Sequence, residues 1–271
     1  MTFLRRNMFV FPLTLVVFLA VAPYAWILFA SFKSYDELFS DPPVWSFSFT
    51  LDAYYQLYQK DYLVYLLNST VVGLSSTALC LIIGTMAAYS FSRHKVPGGS
   101  HIFMTILATR LGPPVAYALP MYLIFDRMGL ANSHTGLILA HTTFNLVLVV
   151  WMMKSFFDDV PIEVEEAAQL DGCGPFRTFF QVALPMTYAG LVSVAIFVLI
   201  FSWNEMLFAL ILTSNENRTL TAMLPTLVGH PRGLWPQVAA AAVIQTIPVL
   251  VSIFFVQKHL VRGLSMGAVK G

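Results

Sequence analysis

Charge is scarce in this 271-residue chain: only 11% of its residues are Asp, Glu, Lys or Arg, against roughly 25% in a soluble domain. A water-soluble protein of this size could not cover its surface with so few charged side chains, whereas a polytopic membrane protein needs very few. The net charge of +1 leaves no basic excess to neutralise phosphates, so nucleic acid is not an expected partner. There are two cysteines, Cys80 inside an apolar run and Cys173 inside a polar segment, and a disulfide between them is implausible. They show no zinc-type spacing and the six histidines do not pair at ligand intervals, so no metal site is expected. The patterns His-Glu-x-x-His, Gly-x-Ser-x-Gly and Gly-x-x-x-x-Gly-Lys-Ser/Thr are missing, which removes a credible catalytic set and a nucleotide site on this chain. Internal repeats and low-complexity tracts are absent too.

Apolar residues are abundant, at 58%. A bilayer core of about 30 Å needs about 20 of them in a helix. Six segments qualify, at about 8–32, 64–91, 102–125, 135–157, 186–212 and 238–257. The expectation is an all-α polytopic membrane protein forming one transmembrane domain over 1–271. Arg5, Arg6 and the apolar run ahead of Ala20-Val21-Ala22 imitate a signal peptide. Pro23 just after the cut and an apolar run continuing to Phe32 argue for a retained first span.

An even span count puts both termini on one side, and charge bias chooses it. With the N-terminus inside, the cytosolic pieces hold Arg5, Arg6, Arg93, Lys95, Lys154, Arg177, Lys258, Arg262 and Lys270. The outer pieces hold Lys33, Lys60, Arg127, Arg218 and Arg232. Both termini are therefore expected in the cytoplasm. The outer loop 34–62 is rich in aromatics, from Tyr35 and Trp45 to Tyr58 and Tyr62. This reads as an interfacial belt with a short helix at the headgroups, a sugar-stacking surface being the alternative.

Residues 158–185 form the polar segment between the fourth and fifth spans. Pro161 suits a first helical turn, and Glu163, Glu165 and Glu166 follow where the helix dipole favours negative charge. Val164, Ala167, Ala168 and Asp171 share one face, mostly small. Gly172 or Gly174 can end the helix at positive φ. Pro175 starts a second short helix carrying Phe176, Phe179 and Phe180, and Pro185 opens the fifth span. A helix lying on anionic lipid usually carries Lys and Arg on its polar face, and this one is acidic.

The spacing Glu166-Ala167-Ala168, three residues, Gly172, nine residues, then Val182-x-Leu184-Pro185 resembles the cytoplasmic signature of ABC importer membrane subunits. It departs only at Val182, where isoleucine is commoner. The resemblance runs nearly the whole chain and is closest to maltose-type sugar permeases. Asn68-Ser69 and Trp203-Asn204-Glu205 are similar to the family's pattern, and the tail Gly263–Gly271 is similar to that of one permease of the pair.

The resemblance implies a type I ABC importer permease fold of six spans, a cytoplasmic coupling helix in segment 158–185, and a cytoplasmic tail 258–271. It also implies docking of a separate ATPase through Glu163, Glu166, Ala167, Ala168, Asp171, Gly172, Leu184 and Pro185. Gly267, Ala268, Val269, Lys270 and Gly271 would touch that ATPase. The implied partners are a homologous second permease in a heterodimer, two ATP-binding subunits that hold ATP and Mg, an extracytoplasmic solute-binding protein, and membrane lipid. The implied location is the bacterial inner membrane, and the implied cargo a sugar, oligosaccharide or polyol. The implied role is that of a transporter subunit without enzymatic activity of its own. Its position would let the outer stretch 215–236 probe the docked binding protein, a plain solvated loop being the alternative.

Arg110 falls near the middle of the third span, where its insertion costs roughly 2.5–3.5 kcal/mol. It precedes Leu111-Gly112-Pro113-Pro114, whose prolines should kink or open the helix. Broken backbone at that depth is tolerated only against protein or a wet cavity. At about 1.5 Å per residue, Arg110 lies roughly 13 Å from the cytosolic side and Glu205 roughly 28 Å, so they are not expected to pair directly. Asn145 falls near the level of Arg110. Arg110, Asn145, Asn204 and Glu205 either border the translocation path, with the last two toward its outer gate, or satisfy one another and backbone carbonyls between helices. A secondary transporter or channel is the rival function. It usually carries mid-membrane carboxylates, and here only the off-centre Glu205 lies within a span.

Overall fold

The structure, a computed structural model, describes the backbone of residues 2–229 and 234–267 and the side chains of residues 10–229 and 234–254 other than Phe11 and Asn215. The described residues are helical or irregular, with no strand. The helices are α1 Thr2–Ala30, α2 Tyr35–Leu38, α3 Asp52–Gln59, α4 Tyr62–Arg93, α5 Gly99–Thr109, α6 Pro114–Arg127 and α7 His134–Asp158. Then come α8 Ile162–Leu170, α9 Pro175–Thr178, a π-turn Phe179–Ala183, α10 Leu184–Met186, α11 Tyr188–Trp203, α12 Leu207–Leu212, α13 Leu220–Val228 and α14 Trp235–Gly267.

Four helices are long and apolar enough to cross a membrane within the described residues: Pro12–Ala30, Tyr62–Arg93, His134–Asp158 and Trp235–Phe254. Counting each sharply bent pair as one span raises the number to six. One pair is α5 and α6, bent by 96° where the two prolines stand. Pro113 is extended, at ψ 128, and Pro114 opens α6, so the backbone turns where neither proline can donate to the preceding turn. In the other pair, residues 175–186 meet α11 at 80° across Thr187. The stretch expected as a continuous helix over 186–212 also breaks after Trp203 and resumes at Leu207.

The chain divides into two compact units, Met1–Leu63 with Met223–Pro248, and Val64–Ala222 with Val249–Gly271. In the first, α1 exposes nearly all of its span and tolerates Pro12 and Pro23 inside it, as membrane helices do. The loop after it is built from polar and aromatic contacts. Lys33 Nζ donates to the Val44 carbonyl at 2.8 Å and lies over the rings of Trp26 and Phe47. Phe32 stacks on Phe49, and the Ser31 and Tyr54 hydroxyls share a hydrogen bond. A short helix, α3, is present in this stretch, burying Ala53 and Leu57 while Tyr55 and Tyr58 stay exposed.

Glu37 closes the loop. It forms a capping box with Ser34 and accepts from the backbone N–H and hydroxyl of Ser48. Those hydrogen bonds, with Ser48 first and Ser34 next, push its carboxyl down from about 4.5 to about 2. A lowered folded-state pKa means that the stabilisation is complete above the unfolded value and is lost as pH falls through the folded one. The loop should therefore hold its structure at neutral pH and loosen between about pH 4.5 and about pH 2. Fluorescence of Trp45, whose ring lies 6.1 Å from Trp26, should report this acid transition, and Glu37→Gln should abolish it.

In the second unit α7 packs against α11, α12 and α5. One core cluster joins Cys80, Ala88 and Tyr89 of α4, Val149, Met153 and Phe157 of α7, Phe179 and Ala183 of the π-turn, and Val194 and Val198 of α11. Another joins Val72 of α4, Ala118 of α6, Leu137 and Ala140 of α7, Phe208, Ala209 and Leu212 of α12, and Ala222. Lipid is as apolar as these side chains, so close packing rather than expulsion from water holds such helices together.

The stretch 215–236, read from sequence as a polar loop, contains a helix. In α13, Leu220, Ala222, Met223 and Leu227 are buried. At nine residues it is far too short to stand out as a span, and Pro225 disguises it as a turn.

Candidate functional site

The polar segment after α7 starts at Val160-Pro161, where Pro161 caps α8 from outside instead of occupying its first turn. Glu163, Glu166, Ala167 and Asp171 are exposed and Ala168 is half-buried. The helix ends at Gly172, whose φ of +89 is a conformation that L side chains rarely adopt. Its N–H bonds to the Gln169 carbonyl and that of Cys173 to the Ala168 carbonyl, both at 3.0 Å, the paired closure of a Schellman motif. Gly174 has a negative φ, so Gly172 alone makes the reversal. Pro175 then opens α9. Leu184 and Pro185 lie in α10, ahead of the bend at Thr187, so α11 begins at Tyr188 rather than at Pro185.

This segment turns an apolar surface outward. Ile162, Val164, Leu170 and Phe176 are exposed, Leu170 at 90% and Phe176 at 73%. Its inner side is firmly seated. Phe179 and Ala183 are buried in the α4–α7–α11 cluster, and the π-turn delivers both there.

Sequence reasoning missed the anchor. Glu165, 2% exposed, is the one buried residue of α8. Its Oε1 accepts from Arg93 Nε at 2.8 Å and its Oε2 from the Tyr89 hydroxyl at 2.6 Å. Arg93 Nη2 also donates to the carbonyls of Phe157 and Val160, at 2.8 Å each, and so holds the C-terminal end of α7. Removing one partner of such a buried pair costs about 3–5 kcal/mol. The available signal was a span ending in arginine, Tyr89-x-x-x-Arg93, beside a run of three glutamates in a segment of few charges.

The four polar residues expected within the spans do not converge on one point. Arg110 is exposed at the α5–α6 bend, where Nη1 donates to the Phe144 carbonyl and the guanidinium lies 5.3 Å from the Phe201 ring. Asn145, next to Phe144, is buried at 5% exposure. Asn204 is exposed and donates to the Ile200 carbonyl. Glu205 accepts from the N–H groups of Phe208 and Ala209 and so caps α12. Its Oε2 lies 3.2 Å from Nε2 of His141, which is fully buried. His141 Nδ1 meets Ser202 Oγ at 2.6 Å, and Ser202 meets Ser76. This buried line from α4 through α11 to α7 was not visible in sequence, because single serines and a lone histidine carry no spacing signal.

The pairs singled out as motifs acquire physical roles. Asn68 Nδ2 donates to the carbonyls of Glu216 and Arg218, its Oδ1 meets His134, and Ser69 Oγ accepts from the Leu220 N–H. Together they tie down the turn before α13. Both cysteines are free, and among the described residues no three His, Cys, Asp or Glu side chains gather to hold a metal. Of the tail residues, Gly267 ends α14, and Ala268, Val269, Lys270 and Gly271 lie outside the described residues.

The family model for the binding-protein-dependent transport system inner membrane component matches residues 80–266. The chain belongs to this family. The permease is 34% identical over 262 residues to the trehalose transport system permease protein SugB of Mycobacterium tuberculosis, covering 95% of each chain. It is 35% identical over 252 residues to the sulfoquinovosyl glycerol transport system permease protein SmoH of Agrobacterium fabrum, covering 92% of this chain and 88% of that one. In fold it matches a crystal structure of a bacterial ABC transporter involved in the import of the acidic polysaccharide alginate. That match has a TM-score of 0.79 at 20% identity and covers 94% of this chain and 96% of the other. The permease is thus an all-α membrane subunit with the type I ABC importer fold, and such subunits are not themselves enzymes.

Proposed function

We propose that the permease forms half of the translocation path of an ATP-driven, binding-protein-dependent importer for a carbohydrate, with both termini in the cytoplasm of a bacterial cell. A separate ATPase, which supplies ATP and Mg, docks on Glu163, Glu166, Ala167, Ala168, Asp171, Gly172, Leu184 and Pro185. A homologous second permease completes the path, a second ATP-binding subunit serves that partner, and an extracytoplasmic binding protein delivers the solute. The tail residues Gly267–Gly271 reach toward the ATPase, a reading supported by their resemblance to a maltose-type tail.

The observation that carries the reading is the outward face of 162–176. It combines exposed Leu170 and Phe176 with exposed Glu163, Glu166 and Asp171. An apolar patch edged by acid is a poor match for anionic lipid and a good one for a protein groove. The carbohydrate assignment is supported by the relatives, one named for trehalose, one for sulfoquinovosyl glycerol and one, from Streptomyces coelicolor, for diacetylchitobiose.

Arg110 and Asn204, both exposed, border the path in this reading, while Asn145 and Glu205 support its wall from within. Uptake by vesicles holding the whole complex should need ATP and survive an uncoupler. Uptake that collapses with the proton gradient instead would point to a secondary transporter. Arg110→Ala should lower transport or alter its range of solutes, and unchanged transport would leave Arg110 a purely interhelical group.

A further inference from the structure

The one buried side chain of α8 is a charge, where an apolar residue would have been the simple way to seat a nine-residue helix. Apolar contacts are non-directional, so a greasy seat would let α8 slide or roll when pushed. A carboxylate held through both oxygens fixes the position and the rotation of the helix at once. The guanidinium opposite is used just as fully. Arg93 Nε reaches Glu165, Nη1 reaches Ser92 Oγ, and Nη2 reaches the carbonyls of Phe157 and Val160. One side chain thus links the last turn of α4, the end of α7 and the middle of α8. Ser92 adds a second strand to the link through Asp158 Oδ1, and Lys154 holds the other oxygen of Asp158. Behind Glu165, the Tyr89 ring packs at 5.3 Å from Phe157 and 4.9 Å from Phe179. The joint therefore rests on the same cluster that seats the π-turn.

We infer that Arg93, Glu165 and Tyr89 form the mechanical joint through which a displacement of α8 is delivered to α4 and α7. This rests on the docking of an ATPase to the outer face of the same segment. The two faces of α8 then have separate roles, the outer residues receiving the push and these three positioning residues passing it on. Lysine cannot replace Arg93, because a single ammonium lacks the planar fork that reaches the carboxylate and two carbonyls together. Tyr89→Phe keeps the ring packing and loses only the hydroxyl.

The test uses the complete complex in vesicles. It reads three quantities, namely affinity of the ATPase subunit for the permease, ATP hydrolysis, and solute moved per ATP consumed. Glu165→Gln and Arg93→Lys should bind the ATPase subunit and hydrolyse ATP as the unaltered complex does, while solute per ATP falls roughly tenfold. Tyr89→Phe should lie between. A merely structural role would lower the amount of complex and leave that ratio alone, and an unchanged ratio in Glu165→Gln and Arg93→Lys overturns the inference. If neither variant accumulates, Tyr89→Phe decides by the same ratio. Failure of the docking reading is distinguishable, since Glu166→Lys would then leave ATPase-subunit affinity untouched.

Discussion

A complex carrying Glu166→Lys should reach the membrane in normal amount, yet lose its ATPase subunit and, with it, solute-stimulated ATP hydrolysis. Glu166 is exposed on α8, so exchanging it removes no internal contact. A like-charge juxtaposition at an interface costs several kcal/mol, and about 3 kcal/mol is roughly a hundredfold in affinity. Gly172→Asp should give the same phenotype for another reason. Nothing lies within 4 Å of a Cβ at Gly172, so the added side chain meets no clash. The φ of +89 is what an aspartate cannot hold comfortably. Moving it would undo the two closing hydrogen bonds from Gly172 and Cys173 and shift α9, which packs on α8. Gly172→Ala meets the same positive φ, at about 1–2 kcal/mol, and should lose stimulated hydrolysis in the same way. Full stimulated hydrolysis in both Glu166→Lys and Gly172→Asp would show that the ATPase docks elsewhere.

The break in the third expected span was legible because two adjacent prolines leave a helix no local alternative. The reversal at Gly172 was half legible, since either of two glycines could have supplied it and only the backbone distinguishes them. The bend at Thr187 was not. Its side chain bonds to the carbonyls of Ala183 and Leu184, and a threonine in an apolar run carries no such message by itself. Helix α13 was hidden for a different reason, because its buried positions are partnered by tertiary packing, which nine residues of pattern cannot reveal.

The same limit applies to the polar residues. From depth alone Arg110 and Glu205 could be kept apart, and the structure gives each its own partners, the Phe144 carbonyl for one and His141 with the first amides of α12 for the other. Which faces are open could not be read from depth, because exposure depends on rotation about each helix axis. Glu165 shows the consequence most clearly. It and Glu166 are neighbours in one acidic run, and a turn of about 100° puts one in the core and the other on the surface.

Gly84→Leu should prevent the permease from accumulating as a folded membrane protein. Gly84 is buried in α4, and a Cβ there would lie 2.6 Å from Cγ1 and 2.8 Å from Cβ of Val149 on α7. Val149 is β-branched, with little rotamer freedom on a helix, and its Cβ moves only with the backbone. The two helices would have to separate, pulling apart the cluster that holds Tyr89, Phe157 and Phe179. Glycine at such a contact is how membrane helices approach closely. Overpacking typically costs about 1–3 kcal/mol, and here the branched carbons of leucine come on top of a Cβ that already does not fit. Against a total stability of about 5–15 kcal/mol, a loss at or above the top of that range should lower both yield and melting midpoint in detergent. Gly190 makes the same approach from α11, its added Cβ falling 2.5 Å from the Phe156 ring, so Gly190→Leu should behave alike. At Gly73 the nearest atom is a leucine methyl at 3.3 Å, and Gly73→Ala should be tolerated. The steric cause can be isolated: Gly84→Ala should be unstable alone and largely recovered by Val149→Gly, which removes both clashing carbons. If the double variant is no more stable than Gly84→Ala, the close approach of α4 to α7 is not what Gly84 provides.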